Sequence, residues 1–283
     1  MASNFPIGFA THQMSRDKEF RSLVIAPMGY KIVEFDAAGQ EFRWMAIKSR
    51  DPLMLALCVP GEDAHSFMGA SIVHRDYHEL VTAVHAGEKA AAEGRKMGKL
   101  ANLSLQYRTS AKKLRVKARV EYNIPMQLPE AQHIRNVYLQ KYRRVPMYWT
   151  NQIMLTKQLG YVETLSGRRV QVRGDWTGPL GWSMESTAIN YPIQGTGAEQ
   201  KYLALAMLRP ILAQYDAEFM IDLHDGLYFT VPEAKTMAFA ERAKKILDNL
   251  PYRQAWGFDP PIPLPFDCKI GESWGTLHEV TLN

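Results

Sequence analysis

Cysteine is nearly missing from this chain of 283 residues: only Cys58 and Cys268 occur, far apart and in no CxxC spacing. That argues against a disulfide framework and against a structural zinc site, and both thiols read as reduced core residues. Long apolar runs are missing too. No stretch approaches the roughly 20 residues of a membrane helix, and the N-terminus, MASNFPIGFATHQMSRDKEF, lacks the apolar centre of a secretory signal. A cytoplasmic protein with no membrane partner is therefore expected. Low-complexity sequence is absent as well, and with 46% hydrophobic residues the chain can bury one large core or two fused smaller ones. Acid is missing from one place in particular: Arg95 to Arg119 contains no aspartate or glutamate.

What is present in that segment is lysine and arginine. They recur in Lys141 to Arg144 and Gly167 to Arg173, with Tyr107, Tyr138, Tyr142 and Tyr148 interleaved, in a chain of net charge +5. Cations beside aromatics suit a nucleic acid, whose phosphates need neutralising and whose bases stack, although a solvated basic helix face has the same composition. The periodicity predicts a strand over Tyr30 to Asp36 and a helix after it, carried by Phe42, Met45 and Ala46. Helical spacing continues from Glu62 to Arg119, with starts near Asp63 and Asp76 and a break at Ala86-Gly87. One long helix is predicted from Pro129 to Gly160, bending at Val145-Pro146. A hairpin follows (Tyr161–Leu165 and Val170–Arg173), then a loop at Asn190–Gly195 and a helix over Thr196–Leu212 capped by Thr196. Two β-prone runs within Glu218–Pro232 flank a turn at His224-Asp225-Gly226. A helix over Glu233–Leu250 and a Pro-rich, strand-like tail complete the reading.

Asp36 and Asp225 thus both sit at strand ends. If the strands are neighbours, the two carboxylates offer hard oxygen ligands to a pair of magnesium ions, the arrangement that steadies both oxygens of a phosphoryl transfer. Either aspartate alone reads first as a turn or cap former.

The residues around them carry more information. Asp36-Ala-Ala-Gly-Gln-Glu41-Phe-Arg43 resembles motif A (DYSQIELR) of the family A, DNA polymerase I-like, DNA polymerases. Gly61-Glu-Asp63-Ala-His65 is similar to the family's G-x-D-I-H segment, and Arg95, Lys99, Asn102 and Tyr107 keep the register of its motif B. His224-Asp225-Gly226 resembles motif C, normally HDE. Gly160–Arg169, Pro192–Thr196 and Gly271–Trp274 resemble its connectors and C-terminal end. The resemblance implies an α+β fold: the palm of a right hand, an antiparallel sheet with helices, with an inserted helical fingers subdomain and no thumb. Residues 1–60 and 190–283 would form the palm and 61–189 the fingers.

By the same resemblance the chain adds dNTPs to a primer end with two Mg2+ ions, Mn2+ being an alternative. Asp36, Asp225 and the backbone carbonyl of Ala37 would hold the ions. Glu41, His65, Arg95, Lys99, Leu103 and Tyr107 would face the nucleotide, Arg95 and Lys99 meeting the triphosphate from one helix face. Asn102, Arg108, Arg168, Arg169, Asn190, Gln194 and His224 are assigned to DNA. Some positions depart from the pattern: Ala37-Ala38 replaces Tyr-Ser, Leu103 an aromatic, Arg108 a glycine, and Gly226 the acid of motif C. With Met1 only 35 residues before Asp36, a separate polypeptide carrying the thumb, with or without a 3′–5′ exonuclease, is expected, as in a split bacteriophage polymerase in the host cytoplasm. Two rivals share part of the pattern: a fragment of a single-subunit phage-type RNA polymerase, which Glu41 disfavours, and an inactive DNA-binding palm module, which Gly226 favours.

Overall fold

The computed structural model describes residues 18–282, so the N-terminal stretch up to position 17 lies outside the described residues. A short helix α1 (Lys18–Arg21) precedes strand β1 (Tyr30–Ala37). Helices α2 (Gln40–Ser49), α3 (Pro52–Ala56), α4 (Ala64–Val73), α5 (Tyr77–His85), α6 (Lys89–Leu105) and α7 (Ala111–Tyr122) follow. Three aspartates begin three of them. Asp51, Asp63 and Asp76 each accept the two exposed N–H groups of the next turn, which helps to stop the chain drifting into one long helix.

Between Leu128 and Leu159 the single bent helix predicted is two helices, α8 (Leu128–Lys141) and α9 (Arg144–Leu159). The break comes before the proline. The Arg144 N–H is taken by the buried carboxylate of Asp51 at 2.9 Å, and Pro146 then sits in the first turn of α9, where its missing N–H costs nothing. Gly160 ends α9 at φ 71°, and β2 (Tyr161–Glu163) and β3 (Arg169–Gln171) form the expected hairpin.

The predicted loop at Asn190–Gly195 does not exist: it lies inside α10, a continuous helix over Gly178–Leu212. Thr196 is therefore not a cap. Its hydroxyl donates to Pro192 O at 2.6 Å and accepts the Leu165 N–H at 3.0 Å. The apparent helix breakers serve packing. A Cβ on Gly195 would lie 2.8 Å from Thr164 Cγ2, and one on Gly197 would lie 2.3 Å from Gln40 Oε1, so a side chain at either place would displace these neighbours. Strands β4 (Glu218–Leu223) and β5 (Gly226–Pro232), helices α11 (Thr236–Leu247) and α12 (Tyr252–Trp256), and strands β6 (Phe266–Gly271) and β7 (His278–Glu279) end the chain.

The described residues divide into two compact units, residues 18–38, 198–251 and 264–282, and residues 39–197 and 252–263. The first is built on an antiparallel sheet of order β4-β5-β1-β6-β7. One sheet face is apolar: Phe35, Phe229 and Phe239 of α11 meet edge to face with centroids 5.6–6.2 Å apart. The second unit is helical, with Trp44 packed on Tyr252 and Trp256, and Phe42 on Tyr142. Among the described residues no helix is long and apolar enough to cross a membrane.

Candidate active site

In the sheet unit, strand pairing alone brings the two aspartates together. The register of β1 sets Asp36 opposite Gly226 on one side and Asp267 on the other, and the Ala37 N–H reaches Asp225 O at 3.4 Å. Asp225 occupies the second position of a two-residue turn whose first residue, His224, has φ 52°, a left-handed value that histidine tolerates better than most side chains. Lys201 holds that turn from α10: its buried ammonium donates to His224 O at 2.9 Å and pairs with Asp222 at 2.7 Å. The imidazole of His224 itself is exposed, and Ala37 is 2% exposed, so only its backbone can serve a ligand.

Alternate residues along β1 share a face, so Glu34 stands beside Asp36. Burial, then the charges of Asp225 and Glu34, push the Asp36 carboxyl up to about 7; Lys269 offsets them only partly. This is a pair of acids short of positive charge, built of hard oxygen donors, and it fits a divalent cation. Among the described residues no group of three or more His, Cys, Asp and Glu converges as a complete ion cage. Two aspartates would therefore leave most of a Mg2+ shell to water and substrate oxygens, as that ion tolerates.

In the helical unit, a seam of glycines organises the cations. A Cβ on Gly98 would lie 2.0 Å from His65 O, and one on Gly69 would lie 2.3 Å from Gly94 O, so α4 and α6 touch backbone to backbone. His65 and Asp63, at the start of α4, are thereby set against Arg95 on α6. Arg95 Nε donates to Asp63 Oδ2 at 2.6 Å, and the other guanidinium nitrogens have no partner among the described residues. Burial works against the Asp63 charge, but Arg95 and Ser66 hold its carboxyl below the usual range. Lys99, one turn on, is exposed and makes no ion pair among the described residues.

Burial lowers the His65 pKa to about 4; the neighbouring Asp63 pulls it up, and the charges of Arg95 and Lys99 push it down again. The ring is neutral at physiological pH. Its Nδ1 lies 3.2 Å from Asn102 Nδ2, so that nitrogen accepts and Nε2 carries the proton. Asn102 is wholly buried and also donates to Ala64 O at 2.8 Å.

Glu41, in the first turn of α2, is clamped. Gln106 Nε2 donates to Oε2 at 3.0 Å and Gln194 Nε2 to Oε1 at 3.2 Å. The Tyr107 hydroxyl is buried beside Glu41 and Gln194 without a well-formed hydrogen bond, and burial, then the Glu41 charge, keep it un-ionised. Leu103 is half-buried on α6, and Asn190 Oδ1 is buried on α10 with no partner among the described residues. Tyr107 also opens onto a cleft of about 540 Å³ lined by Arg108, Lys113, Arg135 and the exposed Trp182. Arg108 pairs with Glu185 there at 2.6 Å. Arg168 lies over the Tyr191 ring at 5.6 Å, whereas Arg169 lies over Tyr161 and pairs with Glu163.

The whole pattern matches one family: the sequence model of "DNA polymerase family A" covers residues 3–276. The chain belongs to that family. Relatives within family A include DNA polymerase I of Deinococcus radiodurans, 29% identical over 259 residues, or 91% of this chain and 25% of that protein. Thermostable DNA polymerase I of Thermus aquaticus is 26% identical over 266 residues, 93% of this chain and 29% of that protein. The chain thus spans about a quarter to a third of the length of these relatives. Among solved structures, the POL domain of Pol1 from M. smegmatis, in complex with DNA primer-template and dNTP, aligns with a TM-score of 0.77 at 22% identity, over 94% of this chain and 44% of that one. The α+β polymerase-domain fold is therefore shared.

Several residues that shape these two clusters carry no signal in the motifs: Glu34, Tyr228 and Lys269 on the sheet, Lys201 beneath the turn, and Gln106 behind Glu41. Strand alternation marks Glu34 as a neighbour of Asp36, and the four-residue spacing of Gly94 and Gly98 marks the seam. Nothing in the sequence marks Lys201 or Lys269.

Proposed function

We propose that this chain carries the catalytic part of a template-directed DNA polymerase, which adds dNTPs to a primer 3′-OH. The observation that carries the reading is the juxtaposition of Asp36 and Asp225 by antiparallel register, in a chain of family A. When bound there, a pair of divalent ions, Mg2+ or Mn2+, would lower the pKa of the attacking hydroxyl and steady the leaving oxygen. Asp36 and Asp225 would hold them, with the Ala37 carbonyl.

The other groups position. The free guanidinium nitrogens of Arg95 and the exposed ammonium of Lys99 lie one turn apart on α6 and meet a triphosphate with charge and multiple donors. Neutral His65 offers its Nε2 proton to the same phosphates without changing its charge. Glu41, unable to swing away from Gln106 and Gln194, excludes a 2′-hydroxyl sterically, and half-buried Leu103 leaves the sugar a smaller wall than an aromatic would. Tyr107 and Gln194 face the terminal base pair, whereas Asn102, assigned to DNA by the resemblance, is wholly buried and acts instead through His65. Arg108, Arg168, Arg169, Asn190 and His224 contribute to the DNA path, with backbone phosphate the natural partner of the three arginines. Primer-template DNA and dNTPs are the proposed partners, in the cytoplasm of the producing or host cell. The same reading includes a second polypeptide that supplies a thumb, with or without exonuclease, and co-purification of the native complex tests it.

The decisive experiment supplies the purified chain, with its co-purifying partner, with primer-template, Mg2+ and either dNTPs or rNTPs. Extension directed by the template, with dNTPs preferred and lost in Asp225→Ala, is the expected result. Binding of primer-template without extension would instead establish a DNA-binding palm.

A further inference from the structure

On the sheet face that carries Asp36, the place opposite it on β5 has no side chain. Gly226 pairs with Asp36 and shares its face, and there the resemblance places an acid. The space is not empty. A Cβ on Gly226 would lie 3.1 Å from Cε2 and 3.2 Å from the hydroxyl of Tyr228, whose ring leans back over the glycine and is braced edge-on by Trp274 at 5.3 Å. The Tyr228 hydroxyl continues across the sheet and donates to Glu34 Oε1 at 2.6 Å. Glu34 is opposite Tyr228 on β5 and opposite Lys269 on β6, and Lys269 Nζ lies 3.2 Å from its Oε2. Glu34 is only 7% exposed, with both oxygens engaged. It stands two residues before Asp36 on the same face of the same strand.

We infer that Glu34 is a positioning residue of the cation centre, supplying from β1 a buried negative charge where position 226 carries none, beside the exposed Asp267 opposite Asp36 on β6. Tyr228 fills the place of the missing side chain and anchors Glu34. The inference rests on the polymerase reading only in taking Asp36 and Asp225 as the ion ligands. Glu34 does not touch the ion in this arrangement, because Tyr228 and Lys269 occupy its oxygens; it deepens the negative potential there and fixes the strand that presents Asp36. Lys269 acts with the opposite sign. A side chain at 226 presses on the Tyr228 ring, so the two positions form one unit.

The test is a Mn2+ titration of the full chain followed by electron paramagnetic resonance, with circular dichroism to confirm folding. Glu34→Gln is expected to weaken Mn2+ binding by about tenfold, and Tyr228→Phe, which keeps the ring and loses the hydroxyl, by about twofold to threefold. Lys269→Met is expected to tighten it, because the centre loses a positive charge. A purely structural role would lower the melting temperature in all three without this opposition of sign. Unchanged affinity in Glu34→Gln, or Glu34→Gln and Lys269→Met shifting it in the same direction, would overturn the inference. If Glu34→Gln does not fold, the opposed shifts of Tyr228→Phe and Lys269→Met decide. Gly226→Glu is expected to lower the melting temperature unless combined with Tyr228→Val, and its tolerance alone would overturn the assignment of Tyr228. A wild-type chain that binds Mn2+ but extends no primer defeats the polymerase reading and leaves this test intact, whereas one that binds no Mn2+ overturns the inference.

Discussion

The sheet unit and the helical unit hold their charges in opposite ways. On the sheet, Asp36, Glu34 and Asp267 are placed by backbone hydrogen bonds. A slip of one residue in the β1 register would send all of β1's acids to the apolar face against Phe239, so the fold itself enforces the cluster. The penalty is a concentration of negative charge that burial makes worse. In the helices, the cations ride on long side chains, and what the fold enforces is only the backbone contact beneath them. Arg95 is steadied by one carboxylate and Lys99 by none among the described residues. A rigid, self-repelling acid centre and an adaptable cationic one suit different ligands: a small ion needs fixed oxygens, whereas a flexible triphosphate can be met by mobile donors.

Experiments can break this contrast. The largest effect is expected from Asp36→Asn and Asp225→Ala, each lowering primer extension on the order of 10³-fold or more while primer-template binding persists, as gel shift and extension assays will show. In the absence of divalent ions, the same two substitutions should also raise the melting temperature at pH 8. The sign follows from the raised pKa of Asp36: between about 4 and about 7 the folded state holds a proton that the unfolded chain has released, so stability falls as pH rises through that window. The gain in Asp36→Asn should vanish below pH 4, and Mg2+ should stabilise the wild type more than the variant.

Next comes the seam. Gly98→Ala drives a Cβ against the backbone of α4 and is expected to cost about 2–4 kcal/mol, read as a lower denaturation midpoint, with Gly69→Ala close behind. Lys99→Ala should behave differently from both, lowering kcat/KM for dNTP by about tenfold to a hundredfold with no change in melting temperature, because its side chain is exposed and unpaired. A large loss of stability there would show that the helical cations are structural after all.

The smallest expected effect is in acid. His65 is held neutral in the fold down to about pH 4, while an unfolded histidine takes its proton near 6.5. The stability this gives is complete above about pH 6.5 and is lost as pH falls toward 4, on the order of 1–3 kcal/mol in all. Chemical denaturation across that range, in the wild type and in His65→Gln, should show the slope in the first and a flatter curve in the second.

Much of this architecture is legible in the local patterns of the chain. Asp63 and Asp76 announce helix starts, Gly160 a helix end, and the β-prone runs around Asp36 and Asp225 three strands, because caps, αL glycines and period-two patterns are local properties of the sequence. Local signals mislead where a distant partner overrules them. Asp51 breaks the helix before Pro146 by capturing an N–H 93 residues away in sequence. Asn190 to Gly195 reads as a loop because Pro192 and Gly195 are local breakers, whereas in the continuous helix Gly195 admits Thr164 as Gly197 admits Gln40.

The sequence by itself determined most of the elements, the family and the motif residues, since each of these is written in short spacings. Only tertiary structure decided that Asp36 and Asp225 stand together, that Tyr228 and not an acid fills the face at Gly226, and that Glu34, Lys269 and Lys201 belong to the same centre. Those are facts of strand register and of side chains reaching across it, and register joins residues as far apart in sequence as Asp36 and Asp267, or Ile32 and Gly271, whose pairing no local pattern encodes.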